Sequence, residues 1–208
     1  MIETALLICG LVIGPLYVLL YILGGAMRSG YSHVTHSVSE LLTAGAPNKP
    51  ILAIVQIIYA LLHVAFGVGV WLTAKELSGS VLGSIGVWTI VAIGIATIGT
   101  VIFPQDAEGA PSTAAGSIHK SLVFGVLVPS SILSTLLIGL WSRRVDALTG
   151  FALYSYISVG AIVAMGALGG VSVKTRFAGL SERVAALVTH QWLFALALWL
   201  LMKWPNPA

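Results

Sequence analysis

VLGSIGVWTIVAIGIATIGTVIF, residues 81–103, runs for 23 residues without a charged side chain. A helix rises about 1.5 Å per residue, so this run alone reaches roughly the 30 Å of a bilayer's hydrocarbon core. Five further blocks pass the same test of about 20 mainly apolar residues: about 4–24, 51–74, 118–141, 149–173 and 184–203. Across all 208 residues the chain is 58% hydrophobic and 8% charged, against roughly 25% charged in a soluble domain. So few charges cannot cover a wetted surface, and the solvent of this chain is lipid. The expected fold is all-α: one polytopic transmembrane domain over 1–208, a six-helix bundle, multi-pass in the cell membrane with the lipid bilayer as its surroundings.

The formal net charge is only +3. Its basic residues sit singly or in pairs at segment ends, which marks membrane flanks and excludes a nucleic-acid partner. Cys9 is the single cysteine, so an internal disulfide and a Cys-based zinc cluster are both excluded. The first block lacks a basic leader and reads as a retained helix, not a signal. Gly14-Pro15 inside it predicts a kink. Gly94 with Gly99, and Gly160, Gly166, Gly169 and Gly170, predict small-residue faces where helices approach closely.

The polar residues are concentrated in three connections, 25–50, 104–116 and 174–183, while 75–80 and 142–148 are short. With six spans, the first, third and fifth connections emerge on one side of the membrane. That parity gathers His33, His36, Ser39, Glu40, Asp106, Glu108, Glu182 and Arg183 on one face. His119 and His190 are expected in the same half of the membrane, and His63 near the middle of the second helix.

Within YSHVTHSVSELLTAGAPNKP, residues 31–50, His33, His36 and Glu40 are spaced to share one helical face. Gly45 and Pro47 suit a stop. The reading is a short interfacial helix over 34–43. It serves either as a solvated face or as a His/Glu group aimed at a polar cavity. In the second polar connection, Asp106 and His119 flank one loop. They suit acid/base chemistry or a divalent metal such as zinc, and equally a capping role for Asp106 and Ser117. In the third, Ser181 is a plausible N-cap and Glu182 lies against the helix dipole. Arg183 is free to pair with an acid of another loop. His190 follows at membrane depth, where ionisable groups face the bundle interior.

The candidate binding residues are therefore His36, Ser39, Glu40, Asp106, His119, Glu182, Arg183 and His190. Glu40 and Asp106 are the candidate general bases. His36, Asp106, His119 and His190 are the candidate metal ligands. Ser39 lacks the Gly-x-Ser-x-Gly context of a serine hydrolase.

Ser39-Glu40-Leu41 with Gly45-Ala46-Pro47, then Phe103-Pro104 with its acidic loop and His119, then Gly179-Leu180 with Glu182-Arg183, resemble the multi-span membrane family catalogued as domain of unknown function 998. The likeness runs from about residue 10 to 200. It implies a six-span bundle in which those polar positions are shared features, and it carries no activity. A looser similarity links the residue types to membrane hydrolases of the alkaline-ceramidase and progestin-receptor type, which bind zinc with three histidines and an aspartate. Those have seven spans and a paired His-x-x-x-His on the last helix, both absent here. Three functions follow from the residues. The first is binding or transport of a small solute or lipid headgroup. The second is metal-dependent hydrolysis of a lipid or amphipathic substrate. The third is a structural or assembly subunit of a membrane complex.

Overall fold

In the computed structural model residues 1–77, 80–145, 148–172 and 175–203 are described, with the side chains of 74–77, 149 and 203 left aside. Positions 78–79, 146–147, 173–174 and 204–208 lie outside the described residues. Six helices are long and apolar enough to cross a membrane. They are Ile2–Ala26, Lys49–Leu77, Val81–Ile102, Ala114–Ser142, Thr149–Ser172 and Ala178–Lys203, called the first to sixth helix below. The lipid bilayer is their environment, and the protein is a multi-pass membrane protein.

Each helix packs on the next, and the sixth returns to the first, so the bundle closes as a ring. Large side chains fill its centre, among them Ile13, Phe66, Trp192, Leu193 and Leu196, all fully buried. Small residues set the closest approaches. A Cβ on Gly94 would stand 2.6 Å from the Ala60 carbonyl oxygen, and one on Gly10 would stand 2.6 Å from the Phe66 ring. The expected glycine face of the fifth helix has no such partner. Positions for a Cβ on Gly160, Gly166, Gly169 and Gly170 meet nothing within 4 Å. Their spacing was right for packing, but the ring places no neighbouring helix over that face.

The first helix continues through Pro15. The fourth is interrupted by a π turn, Val123–Leu127, just ahead of Pro129. A proline in a helix lacks an N–H and its ring crowds the carbonyl four residues back, here Gly125. Widening the turn relieves both.

The short helix after the first span is a single 3-10 turn, Ser39–Leu42. It does not extend back to residue 34. Ser32 Oγ accepts from the Val34 and Thr35 amides, and Ser37 and Glu40 bond reciprocally. These local bonds occupy the amides that a longer helix would need. The segment folds inward, burying Val38, Leu41 and Leu42. The sixth helix begins at Ala178 and not near residue 184, so Glu182 and Arg183 are helical. Ser181 is no N-cap: its hydroxyl donates to the Ala178 carbonyl, 3.0 Å away.

Candidate functional site

The three long connections lie on one side, as parity requires, and Arg183 ties the first of them to the third, while His119 and Glu108 bring the second against the first. Arg183 is 4% exposed. Nη1 donates to the carbonyls of His33 at 2.9 Å, His36 at 2.8 Å and Gly179 at 2.7 Å, and Nη2 donates to the Tyr31 hydroxyl. The group also lies over the Tyr21 ring at 5.1 Å and the Tyr31 ring at 5.7 Å. Among the described residues, Arg183 Nε is the only buried side-chain nitrogen or oxygen without a hydrogen-bond partner. The expected pairing of Arg183 with an acid is replaced by carbonyls. Nη1 takes the carbonyls and Nη2 the Tyr31 hydroxyl, so the planar fork spreads its bonds over two nitrogens held in fixed geometry, which a single ammonium nitrogen does not.

Glu182, one residue earlier, faces the same segment and accepts from the Val38 amide at 3.0 Å. Leu180 N–H donates to the Val34 carbonyl. Gly179 is required here, because a Cβ would fall onto the His36 carbonyl. The loop after the first helix is thus a cap laid over the start of the sixth. Burial pushes the Tyr31 phenol up to about 12, and burial followed by the Arg183 charge holds His33 below its ordinary value.

Glu40 closes a capping box. Its Oε1 accepts from the Ser37 amide at 2.8 Å, and its own amide donates to Ser37 Oγ at 3.1 Å, the reciprocal pattern of Ser-x-x-Glu. Asp106 also caps. It accepts from the Thr113 hydroxyl at 2.6 Å and the Thr113 amide at 3.1 Å, and Thr113 Oγ1 accepts from the Gly116 amide at the start of the fourth helix. The two Thr113 bonds hold the Asp106 carboxyl below its ordinary value. Ser117, expected as a cap, lies inside that helix and donates to the Thr113 carbonyl. His119 Nδ1 lies 3.1 Å from the Phe103 carbonyl, which only accepts, so Nδ1 carries the proton. Nε2 is left to accept from the Ser39 hydroxyl at 3.3 Å.

The expected metal set does not assemble. Among the described residues, the one group whose ligand atoms all lie within 4.8 Å of one another is His36, Glu40 and Glu108. Asp106 is held by Thr113 and His119 by Phe103 and Ser39, and His190 lies deep in the bundle. Even the observed trio fits a metal poorly. His36 Nδ1 accepts from the Ser32 amide at 2.9 Å. A neutral ring then carries its proton on Nε2, and a protonated nitrogen cannot coordinate. The ring is better placed to donate Nε2–H to the adjacent carboxylates.

His190 is halfway along the sixth helix, about 18 Å from its start at 1.5 Å per residue, and so is near mid-depth with His63. Its Nδ1 lies 2.6 Å from the Ala186 carbonyl, so Nδ1 donates and Nε2 accepts from Tyr59 O–H at 2.7 Å. Tyr17 stacks on it at 4.5 Å. His63 donates through Nδ1 to the Tyr59 carbonyl at 3.0 Å and sits edge-on to the Tyr59 ring at 4.5 Å. Tyr21 touches both Tyr17, at 5.4 Å, and His33, at 5.8 Å. A continuous row therefore descends from the capping loop: His33, Tyr21, Tyr17, His190, Tyr59, His63. Beyond His63 it stops against Phe66, Leu193, Leu196 and Ala197, which are fully buried.

The tyrosines of this row were not singled out from sequence. Their signal was present: Tyr17 with Tyr21, and Tyr59 with His63, are each four residues apart and so share a helix face. A family model described as protein of unknown function (DUF998) matches residues 11–199. The chain belongs to that family. No curated protein and no solved structure matches it.

Proposed function

We propose that this DUF998-family member is a proton-coupled membrane carrier or receptor for a small polar solute or lipid headgroup, entered from the face of the three long loops. The observation behind this reading is the buried His190–Tyr59 hydrogen bond with His63 beside it, at mid-depth and joined by aromatic contacts to the loop face. Ionisable groups at membrane depth are costly, face the bundle interior and mark proton relays and substrate paths. Tyr59 and His190 share a hydrogen bond, and a hydroxyl and an imidazole can each accept a proton on one side and give one on the other; the other members of the row are in ring contact. The apolar seal below His63 makes this the state closed to the opposite side, with the Arg183-pinned loop as its cover.

The test is proton flux into liposomes that contain the purified protein and a trapped pH dye, driven by a potassium diffusion potential. Flux is measured alone and with a panel of small polar solutes and headgroup alcohols. The wild type conducts above protein-free liposomes with at least one member of the panel. Tyr59→Phe, which removes one oxygen, lowers that flux, and His190→Phe abolishes it. Flux equal to protein-free liposomes with every solute, or unchanged in both variants, rejects the reading.

A further inference from the structure

On the face opposite the long loops, the third helix begins beside the end of the fourth. Glycines bring them together there. A Cβ on Gly83 would stand 2.9 Å from the Trp141 ring, and one on Gly86 would stand 3.0 Å from Ile138 and Leu137 side-chain carbons. Trp141 and Ile138 fill the seam and are fully buried. The neighbouring Leu82 and Leu140 are left flanking it, and with Arg143 and Arg144 they line an open recess of about 340 Å³. A water takes about 30 Å³ of liquid volume, so the recess has space for a phosphodiester and its glycerol.

Three properties define what fits. Both arginines are exposed, and neither side chain has a hydrogen bond or ion pair among the described residues. The wall is leucine, so the occupant has an apolar part. The depth is that of the lipid headgroups: Arg143 and Arg144 follow the last residue of the fourth helix, Ser142, and lie about two turns outward of the Trp71–Trp88 pair, whose rings are 6.1 Å apart, and tryptophans settle at the membrane–water boundary. An arginine at a helix C-terminus commonly just complements the helix dipole. That role needs one cation and no recess.

We infer that this recess binds the headgroup of an anionic phospholipid. The guanidinium groups of Arg143 and Arg144 take the phosphate, and Leu82 and Leu140 lie against the first carbons of the acyl chains. Guanidinium forks suit phosphate geometry, and basic pockets between membrane helices hold anionic headgroups.

The test is native mass spectrometry of the full chain titrated with dioleoyl phosphatidylglycerol or dioleoyl phosphatidylcholine. The wild type prefers the anionic lipid roughly 30-fold, at about fivefold per surface arginine. The Arg143→Gln/Arg144→Gln variant binds both lipids equally while its melting in phosphatidylcholine nanodiscs is unchanged. Leu82→Glu, which places an acid in the recess, removes the preference independently and covers the case of a double variant that does not fold. Lys120→Gln/Arg176→Gln, on the opposite face, keeps the preference. Equal binding by the wild type, a preference that survives both recess variants, or one lost only with Lys120 and Arg176 overturns the inference. So does displacement of the lipid by millimolar inorganic phosphate, which would make the site one for free phosphate.

Discussion

Replacing Arg183 with glutamine should free the loop over residues 31–42 while the bundle beneath it stays folded. The guanidinium makes three bonds to that loop, to the carbonyls of His33 and His36 and to the Tyr31 hydroxyl. Hydrogen bonds to charged groups contribute about 1.5–3 kcal/mol each, so simple addition gives roughly 5–9 kcal/mol. Two effects reduce that figure. Nη1 has two hydrogens for three acceptors, so its bonds are shared. The released carbonyls lie at the loop face, where water replaces the lost donor. A net loss of about 2–4 kcal/mol in the closing of the loop is expected. In hydrogen exchange through local opening, about 1.4 kcal/mol is tenfold in rate. Amides in peptides covering 31–42, including the Val38 amide bonded to Glu182, should therefore exchange about 30- to 700-fold faster in nanodiscs. Peptides from the middle of the third helix should not change. Arg183→Lys keeps the charge but gathers its donors on one nitrogen, and falls between the two. Wild-type protection of 31–42 in Arg183→Gln would refute the role of Arg183 as the tie. Equal acceleration across all helices would refute the separation of cap from bundle.

Two glycine replacements should have opposite outcomes. Gly94→Ala pushes a methyl to 2.6 Å from the Ala60 carbonyl oxygen. Overpacking of this kind costs about 1–3 kcal/mol, roughly 2–4 °C of melting temperature per kcal/mol. Gly166→Ala enters open space and gains helix propensity, up to about 1 kcal/mol. A fall in melting temperature for Gly166→Ala would mean that a partner covers that face, as the assembly-subunit reading requires. The cap built on Asp106 should weaken in acid. Its carboxyl titrates lower in the folded chain because Thr113 bonds the charged form, so the stabilisation is complete above the ordinary carboxylate value and is lost as pH falls through the depressed one. The protection factor of the Gly116 amide, its exchange corrected for the intrinsic pH dependence, should fall across that window in the wild type and stay constant there in Asp106→Asn; a wild-type profile without the fall contradicts the assignment.

The architecture was legible because its cause is one-dimensional. A span requires about 20 apolar residues in sequence, and residues 81–103 declare one without any knowledge of their neighbours. The side of each loop follows by counting. The site was legible only in part. Glu40 and Asp106 were marked by their spacing, but the same spacing serves a capping box and a threonine cap, and only the positions of Ser37 and Thr113 decide between capping and catalysis. His190 was placed too near the surface because its helix begins at Ala178, where no proline or charge run announces a start. The tyrosine row depends on how the first, second and sixth helices are rotated about their axes. That rotation is set by contacts such as Gly10 against Phe66, which join residues far apart in the chain.

The π turn at Val123–Leu127 also fixes an aim. His119 and Ser130 are eleven residues apart, close to three whole turns of an undistorted helix, so a regular fourth helix would point both the same way. One residue's worth of slack in the π turn shifts the upper part by roughly a quarter of a revolution, at about 100° per residue. Ser130 stays in the seam of the lower bundle while His119 swings to Ser39 and the Phe103 carbonyl. The fourth helix thus behaves as two rods coupled out of phase. Deleting a single residue between 123 and 127 would bring them back into phase and misdirect His119 without altering any atom that His119 touches.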